Sequence, residues 1–399
     1  MSEAFDDVIV SAQLVPLSQA VEVNSKIDRT ALHDDLEVSF VPMAAVKALS
    51  GDIDVSNIRK YAEVKKGYTH FRNGDILFAK VTPCMENGKM AIARKLLNGV
   101  GFGSTEFHVL RPRAGVDARY IYYFVSSQTF RKEASGHMTG AVGLRRVPSA
   151  YLEEQLIPLP GIEQQREIVA EIEKQFSRLD EAVANLQRVK ANLKRYEKAT
   201  IESLTNPETF EECVSGTIAD VAISLDNMRK PVNKAERATR PGNIPYLGAN
   251  GQTGWIDAHL FDEEIVLVVE DETFVGRTAP FSYYFAEKCW VNNHTHVLRA
   301  RPELVSPKYL NLALSYYPFI PLTTGSTGRR KLTKGALMVA PIVVPSLVQQ
   351  EQIVSEVERR LSLTSDVLAE VGKNLQRSEK LRQAVLATAF GIQLAQPEH

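Results

Sequence analysis

The sequence predicts an α+β fold: two mixed α/β globular lobes joined by two long antiparallel coiled-coil helices, with a pseudo-two-fold internal repeat. The prediction rests on an internal repeat, a heptad pattern in each copy of it, and strand-like segments in the remainder. In chain order the predicted segments are a lobe at 1–157, a helix at 158–206, a lobe at 207–342 and a helix at 343–399.

The repeat is the strongest signal in the chain. Its two copies lie 185 residues apart where the match is best, and small insertions separate the other matches. Self-similarity over such a distance indicates two copies of one structural unit. The matched segments are IPLPGIEQQREIVAEIEKQF (157–176) with IVVPSLVQQEQIVSEVERRL (342–361), HVLRPRAGVDARYIYYFV (108–125) with HVLRARPELVSPKYLNLAL (296–314), and NLKRYEK (192–198) with NLQRSEK (374–380).

Each copy ends in a segment whose apolar residues alternate at steps of three and four, which predicts a helix that coils against a partner. Pro160 and Pro345 mark the starts, and the TNP sequence at 205–207 and Gly391 mark the ends. Forty residues of helix would extend roughly 60 Å. The simplest arrangement packs the two helices against each other, and the alternative is that each binds another subunit. The seam residues are Val169, Ile172, Phe176, Leu179, Val183, Leu186, Val189, Leu193 and Tyr196, then Val354, Val357, Leu361, Thr364, Leu368, Val371 and Leu375.

The globular parts are predicted as mixed α/β. GDILFAKV (74–81) and EEIVLVVE (263–270) have the composition of buried strands. The two HVLR sequences read as strands, and an apolar helical segment follows each of them.

Composition and charge limit the function. Apolar residues make up 44% of the chain and charged residues 24%, which excludes a disordered or collagenous protein. The net charge is only −1, but it is distributed unevenly. Residues 57–150 hold 16 Lys and Arg against 6 Asp and Glu, and residues 273–335 hold 9 against 2. Two basic lobes in a neutral chain are typical of a bivalent polyanion binder, although a solvated face is the simpler interpretation of any single charge run.

The three cysteines, Cys84, Cys213 and Cys289, are widely spaced and form no CxxC pair, so neither a disulfide framework nor a structural zinc site is predicted. The acidic N-terminal stretch lacks a signal-peptide pattern, and no run of eighteen apolar residues occurs. These features predict a cytoplasmic protein without membrane contact.

Two short loops carry the clearest candidate site. TGAVGLRRV (139–147) and TGSTGRRKL (324–332) share threonine, glycines and basic residues in the same order. Glycines allow close approach of the backbone to a phosphate, and guanidinium groups bind phosphates or base edges in pairs of hydrogen bonds. A structural turn with exposed arginines is the alternative, and the duplication favours a function. The candidate residues are Thr139, Gly140, Gly143, Arg145, Arg146, Thr324, Gly325, Gly328, Arg329, Arg330 and Lys331.

Several enzyme motifs are only partly matched, so no catalytic residue is predicted. GVGFGS (99–104) precedes a strand where a dinucleotide-binding loop must open a helix, and NIPY (243–246) lacks the second proline of the adenine methyltransferase motif. His294 and His296 would share one face of a strand, but no third ligand has a motif-like position, so no metal is predicted.

Taken in order, these segments resemble the specificity subunit (HsdS) of type I DNA restriction-modification enzymes. The resemblance covers nearly the whole chain. It depends on GDILFAKVTPCMENGK, the two glycine-arginine loops, IPLPGIEQQREIVAEIE with its second copy at 342–358, and the closing LRQAVLATAFGIQL (381–394).

The resemblance implies two target-recognition domains, each reading one half of a split DNA sequence, on helices that act as a spacer. It implies double-stranded DNA, two methyltransferase subunits and motor-endonuclease subunits as partners. It also implies a non-catalytic chain without its own cofactor, since S-adenosylmethionine, ATP and magnesium belong to the partner subunits.

The resemblance also assigns DNA contacts to both loops, with weaker candidates at Lys80, Lys89 and Arg277. Residues shared by both halves cannot by themselves read two different targets, so base specificity is expected in the divergent loops. The segment 226–241 is a further basic loop expected to face DNA. The competing hypotheses are a self-contained nucleic-acid-modifying enzyme and a coiled-coil scaffold that binds only proteins.

Overall fold

The computed structural model describes residues 12–30, 32–141, 143–272, 274–325 and 330–391. The chain forms two compact units. Lobe 1 consists of residues 1–186 together with 373–399, and lobe 2 consists of residues 187–372. Each unit therefore contains part of both long helices, whereas the predicted segments separate the helices from the lobes.

Lobe 1 is built from short strands and helices around two four-stranded sheets. Its elements are β1 (Leu14–Pro16), α1 (Leu17–Ala20), β2 (Val21–Val23), β3 (Glu37–Val41), β4 (Ile58–Lys60), α2 (Tyr61–Val64), β5 (Thr69–Arg72), β6 (Ile76–Ala79), β7 (Met90–Ile92), β8 (Val100–Gly103), β9 (Phe107–Pro112), α3 (Ala118–Ser126), α4 (Gln128–Gly136), α5 (Ser149–Glu154) and β10 (Leu156–Pro158). The first long helix, α6, spans Ile162–Leu204.

Lobe 2 repeats this plan with fewer strands in its second sheet. Its elements are β11 (Cys213–Thr217), α7 (Ile218–Val221), β12 (Ala222–Ser224), α8 (Lys234–Ala238), β13 (Ile244–Gly248), β14 (Gly251–Ile256), β15 (Ile265–Val269), β16 (Asp271–Glu272), β17 (Ser282–Phe285), β18 (Trp290–Val291), β19 (Thr295–Ala300), α9 (Pro307–Ser315), β20 (Arg330–Lys331), α10 (Lys334–Met338) and β21 (Pro341–Pro345). The second long helix, α11, spans Leu347–Ala389.

The strand order confirms the internal repeat. The first sheet of lobe 1 has the order β2-β9-β6-β7, and that of lobe 2 has the order β12-β19-β15-β17. In both, the HVLR strand lies next to the predicted apolar strand in the same register, since Phe78 pairs with His108 and Val268 pairs with His296. A second sheet contains one parallel pair in each lobe, β3 with β8 and β13 with β18.

The two long helices contain 43 residues each, which confirms the length predicted from the prolines and the heptad pattern. In lobe 1, Asp180 pairs with Arg382, and in lobe 2 Thr364 donates to Glu197 at 3.0 Å. A later residue of α6 thus pairs with an earlier residue of α11, as in an antiparallel pair of helices.

The seam is buried unevenly. Val169 and Ile172 of α6 are fully buried in the main core of lobe 1, and Val357 of α11 lies in the main core of lobe 2. Val189 and Tyr196, predicted as seam positions, remain 41% and 46% exposed. A two-helix pair buries only the residues that directly face the partner helix, so these two side chains gain no cover.

Among the described residues, no helix has both the length and the apolar character needed to span a membrane.

Candidate nucleic-acid interface

Both glycine-arginine loops are hairpin turns closed by the same pair of backbone hydrogen bonds. Thr139 and Arg146 exchange amide-to-carbonyl bonds of 2.9 and 2.8 Å. Thr324 and Lys331 do the same, at 2.9 and 2.8 Å. The repeat is therefore conserved at the level of individual hydrogen bonds, and we call these two turns hairpin 1 and hairpin 2.

The first glycine of each hairpin is required by the backbone. Gly140 has φ of +117° and Gly325 has φ of +111°, which L-residues with side chains rarely adopt. A Cβ atom on Gly140 would also lie 3.0 Å from the Leu144 carbonyl oxygen. Gly143, at φ +84°, completes the turn of hairpin 1. Gly328 and Arg329, predicted for hairpin 2, lie outside the described residues.

Each hairpin is attached to the end of the central apolar strand of its lobe. In lobe 1, the amide of Thr82 donates to the Arg145 carbonyl at 3.0 Å, and the amide of Val147 donates to the Lys80 carbonyl at 2.9 Å. In lobe 2, the amide of Leu332 donates to the Glu270 carbonyl at 2.8 Å. These bonds hold each hairpin at the same end of the central strand in the first sheet of its own lobe.

A buried histidine anchors each hairpin from beneath. Nε2 of His108 donates to the Val147 carbonyl at 2.8 Å, and Nε2 of His296 donates to the Leu332 carbonyl, also at 2.8 Å. Both histidines belong to the HVLR strands. The histidine shared by the two HVLR copies is a sequence signal for this role; of the two, only His296 was considered for a site, as a metal ligand, and no metal was predicted.

The other ring nitrogen has a different partner in each lobe. In lobe 1, Nδ1 of His108 lies 3.0 Å from the Asn24 amide nitrogen, and burial lowers the pKa of His108. In lobe 2, Nδ1 of His296 lies 2.6 Å from the Asp226 carboxylate. Burial is the largest single influence on Asp226 and opposes its ionisation, but the hydrogen bonds from His296 and the Val297 amide, together with the charges of His296 and Arg229, lower its pKa overall.

Lobe 2 surrounds its anchor with further charges. The Arg229 guanidinium contacts both Asp226, at 3.3 Å, and Glu270. Lys331 of hairpin 2 lies 3.2 Å from Glu270. Asp226, Glu270 and His296 are close enough together to hold a metal ion, but Arg229 already pairs with both carboxylates, so the cluster is an ion-pair network. His294, the other histidine considered as a ligand before a metal was ruled out in the sequence, faces Asp271 at 3.7 Å.

The basic side chains of the hairpins that the structure describes have partners within their own lobe. Arg146 makes two 2.8 Å bonds to Glu106 and holds the pKa of that carboxyl below its usual value. Arg145 lies 3.6 Å from Glu86, and its side chain is 41% exposed. Arg330 donates to the Thr323 hydroxyl at 2.6 Å and to its carbonyl at 3.1 Å. A bound phosphate would therefore compete with these contacts, least strongly at Arg145.

The three weaker candidates are placed differently. Lys80 is half-buried at the base of hairpin 1. The Lys89 ammonium donates to the Met43 carbonyl at 3.1 Å, so it supports a loop of its own lobe. Arg277 donates to the Pro280 carbonyl at 3.1 and 2.9 Å and to Asn250 at 2.9 Å, which fixes the turn that follows β16.

The glycines of the partial nucleotide-binding motif serve packing. Gly101 and Gly103 lie in β8, where a Cβ atom would meet the Phe71 ring at 2.4 Å or the Val41 carbonyl at 2.2 Å. They lead into strand β9 and not into a helix, as predicted from the sequence.

Each hairpin places a backbone turn and basic side chains at the end of the central strand of the first sheet in its lobe. Among the described residues, none of the partly matched enzyme motifs forms a nucleophile with an adjacent base. The arrangement is suited to binding a polyanion.

Comparison with known proteins agrees with this geometry. The model of the type I restriction modification DNA specificity domain matches residues 13–195 and again residues 210–371. The chain is 36% identical over 205 residues to the type I restriction enzyme EcoAI specificity subunit of Escherichia coli, which covers 51% of this chain and 32% of that protein. It is 40% identical over 161 residues to the EcoEI specificity subunit of Escherichia coli, covering 40% of this chain and 27% of that protein. These alignments thus span a third or less of the length of either relative.

Solved structures share the fold. A chain described under "Structural basis underlying complex assembly and conformational transition of the type I R-M system" superposes with a TM-score of 0.72 at 19% identity, covering 95% of this chain and 97% of that one. The HsdS subunit from Thermoanaerobacter tengcongensis superposes with a TM-score of 0.53 at 18% identity, covering 95% and 96%. Since the family model matches each half of the chain separately, this protein belongs to the family of type I restriction modification DNA specificity domains.

Proposed function

We propose that this chain is the DNA sequence-specificity subunit of a type I restriction-modification complex. Each lobe binds one half of a bipartite target in double-stranded DNA, and the long helices dock two methyltransferase subunits. Motor-endonuclease subunits complete the assembly. The observation that carries the proposal is the duplicated hairpin, closed by the same hydrogen bonds and anchored by the same histidine in both lobes.

Two half-sites require two readers held at a fixed separation along the duplex. The two helices of 43 residues are proposed to act as the spacer, since a helix rises about 1.5 Å per residue. The chain itself is proposed to be non-catalytic. S-adenosylmethionine, ATP and magnesium are then bound by partner subunits, and the complex works in the cytoplasm, where it meets DNA.

The helices carry apolar side chains that suit a protein partner. Leu363 and Val367 lie four residues apart on α11, on one face of the helix, and are 60% and 45% exposed. Exposed apolar side chains grouped on one face favour burial against another protein. A Leu363→Glu change is expected to reduce co-elution with the methyltransferase subunits in size-exclusion chromatography, while DNA binding by the chain is retained.

Gel-shift titration of the assembled complex at several salt concentrations tests DNA binding. Phosphate contacts give a steep fall of affinity with salt. Removing one contact by Arg145→Ala is expected to weaken binding about fivefold at 0.15 M salt. Arg359→Ala on α11, which removes a cation paired with Glu356, is the control and leaves affinity unchanged. Affinity that responds neither to salt nor to Arg145→Ala contradicts the proposal.

Incubation of the isolated chain with DNA, S-adenosylmethionine and a divalent metal tests the non-catalytic assignment. The proposal predicts neither methylation nor cleavage until partner subunits are added. Mapping methylated adenines in cells that carry the whole system then gives the bipartite target.

A further inference from the structure

The second sheet of each lobe lies outside the repeated sequence, yet each sheet contains a pair of aromatic residues in register on two parallel strands. Phe40 of β3 is the register partner of Phe102 of β8, and Tyr246 of β13 is the register partner of Trp290 of β18. Each pair belongs to one small apolar cluster, and no ring is more than 5% exposed. The two strands of each pair run parallel, so the pairs occupy equivalent places in the two sheets.

A guanidinium group covers each of the four rings. Arg59 lies 3.7 Å from the centre of the Phe40 ring, and Arg237 lies 4.4 Å from that of Tyr246. Over the partner rings, Arg29 lies 5.9 Å from Phe102 and Arg240 lies 4.7 Å from Trp290. Stacking of this kind fixes the plane of a guanidinium while leaving its N–H groups available at the edge.

Two of these four arginines are held by their own lobe. Arg29 donates to the Lys65 carbonyl at 3.1 Å and lies 2.7 Å from Nδ1 of His70. Arg240 forms a two-pronged ion pair with Asp257. Their hydrogen-bond donors are thus used in stabilising the sheet.

The other two arginines, Arg59 and Arg237, are not held in this way by the residues that the structure describes. Within the described part of the chain, the side chains of Arg59 and Arg237 are half-buried by their stacking and form no hydrogen bond or ion pair. Each lobe therefore presents one planar guanidinium that is fixed by an aromatic ring but whose donors are unused. A fixed guanidinium with free donors loses little conformational entropy on binding an anion.

The lobes reach this arrangement from different elements. Arg59 belongs to strand β4, whereas Arg237 belongs to helix α8. In lobe 2 a glycine leaves space for the side chain, since a Cβ atom on Gly254, the register partner of Tyr246, would lie 3.3 Å from Nε of Arg237. The shared geometry is therefore independent of the repeated sequence, which favours a shared use.

We infer that Arg59 and Arg237 each bind a backbone phosphate of DNA, one in each half-site, in addition to the contacts of the hairpins. The inference rests on the proposed function. Phosphate is the ligand because the same group in the same place in both lobes cannot distinguish two different half-sites, whereas every half-site offers phosphates. The planar fork of a guanidinium matches two phosphate oxygens.

Equilibrium binding of the assembled complex to two 40-base-pair duplexes tests the inference. One duplex contains the methylated target found by mapping, and the other has an unrelated sequence. Arg59→Gln and Arg237→Gln are each expected to lower the slope of log affinity against log salt by about 0.9 and to weaken binding about fivefold at 0.15 M salt, equally on both duplexes. The double variant loses about twice the slope.

Matched controls come from each lobe. Arg113→Gln and Arg299→Gln remove exposed arginines that pair with Glu22 and Glu263, and they are expected to leave the slope unchanged. If the salt dependence of affinity is steep in the wild type and is unchanged in Arg59→Gln and Arg237→Gln, this inference is overturned and the proposed function is not. A loss confined to the target duplex indicates base contact and also overturns it. A wild type without salt-dependent binding overturns the proposed function instead.

A second measurement needs no variant. Phenylglyoxal modifies accessible arginines, and the modified residues are identified by mass spectrometry. DNA is expected to protect Arg59 and Arg237 of the wild-type complex, with Arg113 reacting as before. Equal modification of Arg59 and Arg237 with and without DNA contradicts the inference even if a variant proves unstable.

Discussion

Hairpin 1 and hairpin 2 are closed by the same pair of backbone hydrogen bonds, but the groups that hold them carry different charges. Beneath hairpin 1, His108 is bonded to the neutral amide of Asn24. Beneath hairpin 2, His296 is bonded to the Asp226 carboxylate, which also contacts Arg229.

The difference shows which part of the arrangement is needed. The bond from the histidine to the carbonyl that follows the hairpin is 2.8 Å in both lobes, whereas the group behind the histidine varies. The strand position and the backbone bonds are thus the constant requirement. A neutral or a charged partner satisfies the second ring nitrogen equally well, provided that no buried polar group is left unpaired.

The largest expected effect on stability comes from substitutions at the ends of the long helices, where their side chains pack into the core of a lobe. Phe390, just beyond α11, packs against Tyr120 and Phe124 in lobe 1, with ring centres 5.1 and 5.4 Å apart. Phe390→Ala is expected to cost about 4 kcal/mol of unfolding free energy because it leaves a cavity in that core. Calorimetry should show a destabilised lobe 1 transition, and amide hydrogen exchange should accelerate at Arg146 but not at Lys331.

The corresponding substitution in the core of lobe 2 tests whether the two lobes respond separately. Ile201 of α6 is buried in the core of lobe 2, and Ile201→Ala is expected to cost about 3 kcal/mol there. Exchange should now accelerate at Lys331 and not at Arg146. Equal acceleration at both amides in either variant would mean that the lobes unfold together.

The charged anchor is expected to be less tolerant of change than the neutral one. Asp226→Ala leaves Arg229 and Glu270 in a buried network with one carboxylate missing, at a cost of about 3 kcal/mol. Asn24→Ala removes neutral hydrogen bonds to His108 and to the Val109 amide, at a cost of about 1.5 kcal/mol. Urea unfolding of both variants measures the two costs, and equal losses would show that the extra charges of lobe 2 add nothing.

Substitution of the first glycine of each hairpin should instead destabilise both lobes by the same amount. Gly140→Ala and Gly325→Ala both place a side chain at φ above +110°, and each is expected to cost about 2 kcal/mol. Unfolding free energies and DNA affinity of the two variants provide the test. Variants that are as stable as the wild type would show that the hairpins adjust their backbone.

The smallest expected effect is a difference in response to acid. Burial lowers the pKa of His108, and also that of His70 in the same lobe, so the folded state disfavours their protonated forms. Their contribution to stability is complete above pH 6.5, the ordinary value, and is lost as the pH falls towards the folded pKa. For one such group the loss is about 1 kcal/mol per pH unit.

The lowered pKa of Asp226 means that the folded state favours the charged form of this residue, and it affects stability in a lower pH range. Its contribution is present above pH 3.8 and is lost only as the pH falls below that value. Between pH 6.5 and 5, the protection factor of the Arg146 amide, which compares its intrinsic and observed exchange rates and so corrects for the slower intrinsic exchange at lower pH, should therefore fall, and His108→Asn should reduce this pH dependence. A fall in the protection factor of Lys331 in the same range would contradict the assignment of the response to His108.

The repeat made much of the architecture predictable from sequence. Prolines and heptad spacing indicated both long helices, and the apolar runs indicated the central strands β6 and β15, because backbone propensity and hydrophobic periodicity are local properties. The glycines at 140 and 325 indicated the turns for the same reason. The DNA contacts of Arg145, Arg146, Arg330 and Lys331 remain predictions, to be tested by the binding experiments.

Other features were not visible in the chain. His108 and His296 were readable as a repeated residue, but their role depends on strands and hairpins that meet only in the folded lobe. Val189 and Tyr196 fit the heptad pattern, and yet remain exposed because the pattern does not say how much cover a partner provides. The segment 226–241 was expected to be a basic loop facing DNA, and the sequence did not show that Arg229 and Arg240 within it are engaged in ion pairs. Its contact with DNA remains a prediction.

The two copies, the lengths of their helices and the position of each hairpin were predictable from the chain alone, because these depend on local spacing and on glycine and proline. The groups that surround each hairpin, and the arginines that stack on Phe40 and Tyr246, are set by tertiary contacts. Those contacts join residues that lie far apart in the chain or in unrelated elements, so their energies depend on burial and direction, which no local pattern records.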